Sequence, residues 1–449
     1  MSTLAGIDLG TTYSALAVLN ELGKPEIVPD GNANRIVPSV VAFSSENSAV
    51  IGAEAKNLLL TDPKNVIQFV KRQMGNPSFR YTAFGKEYSP VDISALILKK
   101  LKDECIQNGE IHDVVITVPA HFDEIQRKST MDAGAIAGLN VLGIVNEPTA
   151  AALYYSTLAK TNGNIVVYDL GGGTFDVTIL HINGNDVKIL TSKGDGHLGG
   201  VDFDHEIVKY VASEFQRQNG ADLFSNTLLS SRAGTPPEKE AVLYFKFMAE
   251  AEKAKKSLSI RPKADVRLVS EKGNVNVPLA REKFEELISS YIATTEMLVE
   301  NALEDAKLRP SDITKVILVG GSTRIPSVAK SIEGIFGFPP EKAVNVDEAV
   351  ALGAAISAGL RKMPDAGAVP VAICKELSKT TLTEVCNKYF GTNAMFYNEK
   401  RGEDVEQNAI ILKKDTPIPC AQTESFHTRR DGQEFVSMKV TESDEPWED

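Results

Sequence analysis

An α/β fold is what this 449-residue sequence predicts, and three short runs predict it. VVITVPA from Val114, IVVYDLGGG from Ile165 and VILVGGS from Val316 are nearly all apolar and rich in β-branched residues, and each ends in proline or small residues. Strands of that kind are buried on both faces, which a sheet covered by helices requires. Long segments of helical periodicity separate them, the alternation expected of an α/β protein.

Three helices are placed by their patterns. DISALILKKLKDECIQN, residues 92–108, carries apolar side chains at Ile93, Leu96, Ile97 and Leu101, one stripe of a 3.6-residue period. PPEKEAVLYFKFMAEAEKAKKSLS opens with prolines and acids, as a helix start prefers. REKFEELISSYIATTEMLVENALEDA, from Arg281, reads as a third long amphipathic helix.

From about Met363 the character changes. MPDAGAVPV is rich in Pro, Gly and Ala and reads as a boundary. Beyond it, short segments such as AIILKK, SFHT and EFVSMKV are separated by turn residues, so a small β-rich module is expected to follow a large α/β one. The acidic end, ESDEPWED, is expected to fray.

The totals bound the function. A chain of this length suggests two or three compact units, and 43% hydrophobic with 24% charged residues is the composition of a globular protein in water. With 48 basic against 60 acidic residues the net charge is -12, which argues against non-specific binding to nucleic acid or an anionic membrane. Any phosphate must therefore be held locally. MSTLAGIDLG has neither the basic run nor the apolar core of a targeting segment, and no apolar run is long enough to span a bilayer. Cys105, Cys374, Cys386 and Cys420 form no CxxC pair and the six histidines no HExxH, so neither a disulfide framework nor a metal site built on them is expected. Thiols in a reducing cytosol are the plainer reading.

One local pattern occurs twice. DLGTTYS, from Asp8, returns as DLGGGTFD from Asp169, and neither copy has the lysine of a P-loop. A hairpin turn of glycine and threonine presents backbone N–H groups and hydroxyls that cradle a phosphate, because glycine lets the backbone come close. An aspartate just before the turn can hold the waters that Mg²⁺ retains. Two such turns facing each other would grip the β- and γ-phosphates of a nucleotide from both sides.

The segments VITVPAHFDEIQRKSTMDAG, NEPTAAAL, VYDLGGGTFDVTIL, DGHLGGVDFD, EKAKKSLS, ILVGGSTRIP and VDEAVALGAA, in this order from Gly6 to Leu360, extend the pattern. Together they resemble the actin-like (ribonuclease H-like) two-lobed ATPase domain of the DnaK-type heat-shock protein 70 chaperones. The resemblance implies an ATP/ADP site with Mg²⁺. Asp8 and Asp169 would hold the ion through water, Gly10, Thr11, Thr12 and Tyr13 would form the first phosphate loop, and Gly171, Gly172, Gly173 and Thr174 the second. Lys71 in FVKRQMG resembles the lysine that reaches the γ-phosphate and the attacking water, and Glu147 in NEPT the carboxylate beside that water. With Asp169 and Thr174 these make the implied catalytic set, for in-line attack of water in a slow hydrolysis.

The adenosine wall is implied in the same way. Glu252, Lys255 and Ser259 lie at helical spacings of three and four and resemble adenosine contacts. Gly320, Gly321, Ser322 and Arg324, with Asp347 nearby, resemble the turn under base and ribose, while Pro119 and Arg127 match a relay toward a second domain. Taken alone, each has a plainer reading: a surface lysine, a helix-start acid, a solvated helix face, a strand-ending proline.

The resemblance divides the chain into an ATPase domain at 1–363, a linker at 364–371 and a truncated β-sandwich-like substrate-binding region at 372–449, without later strands or lid. It implies a cytoplasmic chaperone that acts on unfolded polypeptide segments, with a J-domain co-chaperone and a nucleotide-exchange factor as partners, and with neither nucleic acid nor membrane. Two departures argue against conventional coupling. KMPDAGA stands where the family has a leucine-rich docking linker, and Gly143 stands where the family tends to have a basic residue for the J-domain. A scaffold or co-chaperone that no longer cycles peptide with ATP is the alternative, and a sugar kinase of the same fold class fits NEPTAAAL and EKAKKSLS less well.

Overall fold

The structure, a computed structural model, describes residues 3–104, 111–158, 162–184, 186–230, 236–270, 272–342, 345–363, 377, 380–398, 402–428, 432–444 and 446. Two mixed sheets with the same internal order organise it. In the first, Asn140–Asn146, Ile111–Val118, Thr3–Asp8, Tyr13–Leu19 and Pro25–Ile27 lie side by side. In the second the order is Glu341–Lys342, Ile313–Val319, Gly163–Leu170, Phe175–Asn183, Asp186–Asp195, Thr381–Val385 and Pro417–Ile418. Each sheet has a central strand with a parallel neighbour on one side and an antiparallel hairpin partner on the other. The two hairpin turns are the repeated glycine–threonine stretches.

The strands read from Val114, Ile165 and Val316 are interior to their sheets, with a neighbour on each side, and Val114, Ile116, Ile165, Val167, Val316 and Leu318 are all buried. Between the sheets lie two helices, Glu147–Leu158 and Ala349–Lys362, and every residue from Ala349 to Gly359 is buried. They touch backbone to backbone: a Cβ on Gly353 would lie 1.7 Å from the Ala150 carbonyl oxygen. Only glycine permits that approach, and it sets how the halves meet over the cleft. One core gathers Tyr168, Phe175, Phe203, Phe247 and Phe284 behind the second sheet, and another Ile7, Leu16, Ile93, Leu98 and Ile116 behind the first.

Several sequence expectations are corrected in detail. The helix expected from residue 92 is Pro90–Glu104, and residues 105–108 lie outside the described ones. The helix expected unbroken from Arg281 is two, Arg281–Leu287 and Ser289–Asp305, separated at Ile288 with ψ 3°. Ile288 is fully buried, so packing of the side chain at the break outweighs continuity of the amphipathic pattern. The acidic end does not fray throughout: Glu442 and Ser443 close a strand beside Tyr389–Asn398, and Lys388 pairs with Asp444.

The C-terminal part is β-rich, with Tyr389–Asn398 between Glu403–Leu412 and Val440–Ser443. It is not detached. Thr381–Val385 adds itself parallel to Asp186–Asp195 at the edge of the second sheet, with Leu382 opposite Val187. Parallel addition there satisfies backbone groups that an edge strand otherwise leaves to water. The expected linker, 364–371, lies outside the described residues.

Candidate functional site

Thr11 and Thr12 of the first turn meet Gly172 and Gly173 of the second. A Cβ on Gly172 would fall 2.3 Å from Thr12 Oγ1, and one on Gly173 2.3 Å from Thr11 Cγ2. The turns therefore face each other at the contact distance that glycine alone allows. The second is held from behind: Gly200 N donates to Gly171 O at 3.1 Å, Val201 N to Gly172 O at 2.8 Å and Ser322 Oγ to Gly171 O at 2.8 Å. Arg72 donates to Gly173 O at 2.8 Å and to Asp202 Oδ2 at 2.6 Å. On the first turn, Ser39 Oγ donates to Gly10 O at 2.8 Å. Thr11 Oγ1 is buried without a hydrogen-bond partner, a hydroxyl with a donor to spare in the space between the turns.

Beneath the turns is a buried cluster of charge. Asp8 ends its strand and accepts from Thr117 Oγ1 at 3.0 Å, Asp169 sits opposite Asp176 in the second hairpin, and Glu147 opens its helix. Lys71, in the short turn Val70–Gln73, donates to Glu147. Burial lifts the Asp8 carboxyl above the usual carboxylate range, with Lys71 opposing. Burial, then the charges of Glu147, Asp176 and Asp8, lift Asp169 well above it. Glu147 is pushed up to about 7 by burial, against the pull of Lys71. Four carboxylates around one lysine, in a place this dry, lack positive charge.

The cleft above has a volume of about 1170 Å³, and Asp8, Gly10–Tyr13, Glu147, Asp169, Gly171–Thr174, Glu252, Lys255, Ser259, Gly320–Ser322, Arg324 and Asp347 all line it. Lys71 stands behind Glu147, and Pro119 and Arg127 are not on the cleft wall. Pro119 follows the Ile111–Val118 strand, and Arg127 donates to Asn146 Oδ1 at 2.6 Å and to Phe122 O at 3.1 Å. On the far wall, Lys255 reaches Asp204 Oδ2 and Gly200 O, both at 2.7 Å, and Arg324 pairs with Asp347 at 2.8 Å. Ser259 caps the C-terminal end of Glu238–Leu258, its hydroxyl donating to Lys255 O at 3.1 Å.

Other side chains at the site went unread in the sequence. Lys56, on the helix Ala53–Leu58, pairs with Glu252 at 2.8 Å and donates to the Tyr13 hydroxyl at 3.2 Å. This joins opposite walls over the mouth of the cleft. No local motif marks Lys56. Asp176 was legible as the last residue of DLGGGTFD, and Arg72 as the neighbour of Lys71; Asp202 and Asp204 stand in DGHLGGVDFD. Only the fold turns these side chains inward.

Over residues 4–81 and 75–448 the chain matches the family described as Hsp70 protein. The chain belongs to the Hsp70 family. It is 39% identical to the chaperone protein DnaK of Thermotoga petrophila and of Thermotoga maritima over 455 residues, which cover 99% of this chain and 71% of each relative. To the DnaK of Thermosipho melanesiensis it is 38% identical over 454 residues, 99% of this chain and 70% of that relative. The two-sheet architecture is the actin-like ATPase fold of Hsp70, and the protein is an Hsp70-type ATP-dependent chaperone. Among the described residues, no helix is long and apolar enough to cross a membrane, and no group of three or more His, Cys, Asp or Glu is arranged to hold a metal directly.

Proposed function

We propose that the cleft binds ATP and ADP with Mg²⁺, and that slow hydrolysis there drives a cytoplasmic chaperone cycle on unfolded polypeptide segments. The observation that carries this reading is the meeting of the two glycine–threonine turns above a buried carboxylate cluster with a single lysine. Gly10, Thr11, Thr12 and Tyr13 on one side, and Gly171 to Thr174 on the other, offer N–H groups and hydroxyls to the β- and γ-phosphates. The unpartnered hydroxyl of Thr11 fits that task.

A divalent cation fits the donor set. Asp8 and Asp169 would hold Mg²⁺ through water, and burial of both carboxyls makes a cation the missing partner. When bound, Mg²⁺ supplies charge neutralisation at the phosphates. Lys71, held by Glu147 from behind the cleft wall, would lend its charge to the γ-phosphate, and Glu147 would orient the attacking water. Catalysis on these terms is positioning and electrostatics. Glu252, Lys255 and Ser259, together with Gly320, Gly321, Ser322, Arg324 and Asp347, would line the space for adenosine.

Residues 1–363 form the ATPase domain in this reading, 364–371 the linker and 372–449 the start of the substrate-binding region. The position of Thr381–Val385 bears on coupling. KMPDAGA lacks docking leucines, yet Leu382 lies in a strand docked on the ATPase sheet, and Glu384 of that strand is near enough for Arg127 to feel its charge. This strand would be the route by which peptide, a J-domain co-chaperone or a nucleotide-exchange factor acts on the cleft, against the weak coupling that KMPDAGA and Gly143 imply.

Thermal melting with Mg-ATP or Mg-ADP tests the site. A ligand at about 1,000 times its Kd that binds only the folded state adds roughly 4 kcal/mol. A melt unmoved by Mg-nucleotide but moved by a hexose would replace the chaperone reading with a sugar kinase. Single-turnover hydrolysis, with and without peptide, separates a cycling chaperone from a scaffold.

A further inference from the structure

The segment after the Ile111–Val118 strand carries a histidine that the proposed mechanism does not use. His121 Nδ1 lies 3.2 Å from Asp176 Oδ1. Asp176 is 1% exposed, and its charge is felt by both Glu147 and Asp169. The His121 side chain is 21% exposed, so it spans from the buried carboxylate cluster to the solvent side. Glycines make room for it: a Cβ on Gly194 would fall 2.9 Å from Nδ1, and one on Gly196 2.7 Å from Nε2.

The histidine is also held in place. Asn387 Nδ2, just past the docked Thr381–Val385 strand, donates to Ala120 O at 2.7 Å and to Phe122 O at 3.0 Å, the carbonyls on either side of His121. Arg127 donates to the same two carbonyls, at 3.4 Å and 3.1 Å. The Phe122 ring stands edge-on to the imidazole at 5.6 Å. Two elements far apart in sequence thus clamp one three-residue turn.

We propose that His121 is a positioning residue for ATP hydrolysis: it orients Asp176 and gives the proton of the attacking water a way out of the carboxylate cluster, with the Asn387 clamp keeping it in register. This rests on the ATPase reading above. Water oxygen bonds to the γ-phosphorus, the bond to the β,γ-bridging oxygen breaks with its electron pair staying on ADP, and one water proton is left among the carboxylates. Neutral imidazole takes that proton from Asp176 at Nδ1 and releases the one on Nε2 to solvent. A protonated imidazole cannot do so, so the neutral ring is the active form.

The charged groups around the ring are Asp176 from the Phe175–Asn183 strand, Asp195 and His197 on either side of Gly196, and Lys71 beyond the Phe122 ring. On the side of Arg127 stand Glu124, Glu384 and Glu442.

The test is single-turnover hydrolysis of Mg-ATP from pH 5.5 to 8.5 by the full chain and by the His121→Gln, His121→Phe and Asn387→Ala variants, with ATP affinity and melting temperature measured alongside. The parent rate is expected to rise with pH and level off. Both His121 variants should lose that rise and about 10-fold in plateau rate, the low end for a partner that orients a reacting group, with ATP affinity unchanged. Asn387→Ala should keep the climb and lower the plateau. A His121→Gln protein with the parent's pH profile would overturn the proposal and leave the climb to Glu147. A parent that binds Mg-ATP but turns none over at any pH would overturn the ATPase reading itself, and this proposal with it.

Discussion

Lys71 and Glu147, 76 residues apart, form a buried ion pair at the floor of the cleft. The lysine comes from a short turn of the first lobe and the glutamate from the helix that packs between the sheets. Their side chains are 5% and 10% exposed, so water offers little substitute for either partner. Breaking such a pair from one side costs about 3–5 kcal/mol when the survivor stays charged. Glu147, already pushed up to about 7 mainly by burial, can respond instead by taking a proton.

Lys71→Ala is therefore expected to fold and to bind Mg-ATP, but to hydrolyse it about 100-fold or more slowly than the parent. Single-turnover rates and equilibrium binding on both proteins check this. A mutant that turns over like an active parent would remove Lys71 from the γ-phosphate.

Lys56 and Glu252 join the two walls above the cleft at 2.8 Å. Removing the lysine should loosen the mouth and free the Tyr13 hydroxyl, while leaving the glycine–threonine contacts in place. Lys56→Ala is expected to speed nucleotide release by about 5- to 10-fold, in line with the loss of about 1 kcal/mol or slightly more for a half-buried pair, while single-turnover hydrolysis stays within about twofold. Stopped-flow release of a fluorescent ADP measures it, and a release rate equal to the parent's would show that the pair gates nothing.

Glu252 also predicts an acid response. Burial alone would raise its carboxyl, but Lys56 and Lys256 outweigh that and hold it at about 2, against an ordinary 4.5. The folded pKa is depressed, so the stabilisation is fully present above about 4.5 and is lost as pH falls toward about 2. Glu252→Gln should cost on the order of 1–3 kcal/mol at pH 7, and the gap to the parent should narrow on acidification below 4.5. Urea unfolding at pH 7 and at pH 4 compares the two, and a gap that holds constant would remove the linkage.

Gly353 tests the way the halves meet. A methyl group there would collide with the Ala150 carbonyl at 1.7 Å, and both neighbours are backbone in buried helices that cannot yield. Gly353→Ala is expected to destabilise the protein by about 1–3 kcal/mol or more and to lower nucleotide affinity, since the same helices carry Glu147 and follow Asp347. Melting with and without Mg-ADP reads both effects.

Coupling separates two expectations. KMPDAGA and Gly143 predict that peptide or a J-domain changes the ATPase rate only slightly. The docked strand with Leu382 opposite Val187 offers a physical connection. If that connection is used, Leu382→Asp will alter the hydrolysis rate at least about threefold and abolish any nucleotide-dependent change in hydrogen exchange over residues 380–440. Equal exchange in ATP and ADP, with no J-domain stimulation, would leave the strand a structural edge alone.

The sequence by itself determined the fold class, the repeated phosphate turns and the family, because these rest on local chemistry. Short apolar β-branched runs that end in proline or glycine favour strands buried on both faces, and glycines beside an aspartate at a strand end carry their function in their backbone. Val114, Ile165 and Val316 accordingly lie on interior strands of the two sheets, and Gly172 and Gly173 lie against Thr12 and Thr11. Tertiary structure decided what depends on distance through space. The break at Ile288 was settled by a buried side chain against an unbroken helical pattern. Lys56 reaches Glu252, and Asn387 grips the turn at His121, across separations that no periodicity encodes. Thr381–Val385 falls within the module expected after the boundary and was not read as a strand, and its place on the ATPase sheet was set by an open edge beside Asp186–Asp195. Backbone hydrogen bonds accept any sequence at such an edge, so the partner of an edge strand is written in the fold and not in the residues.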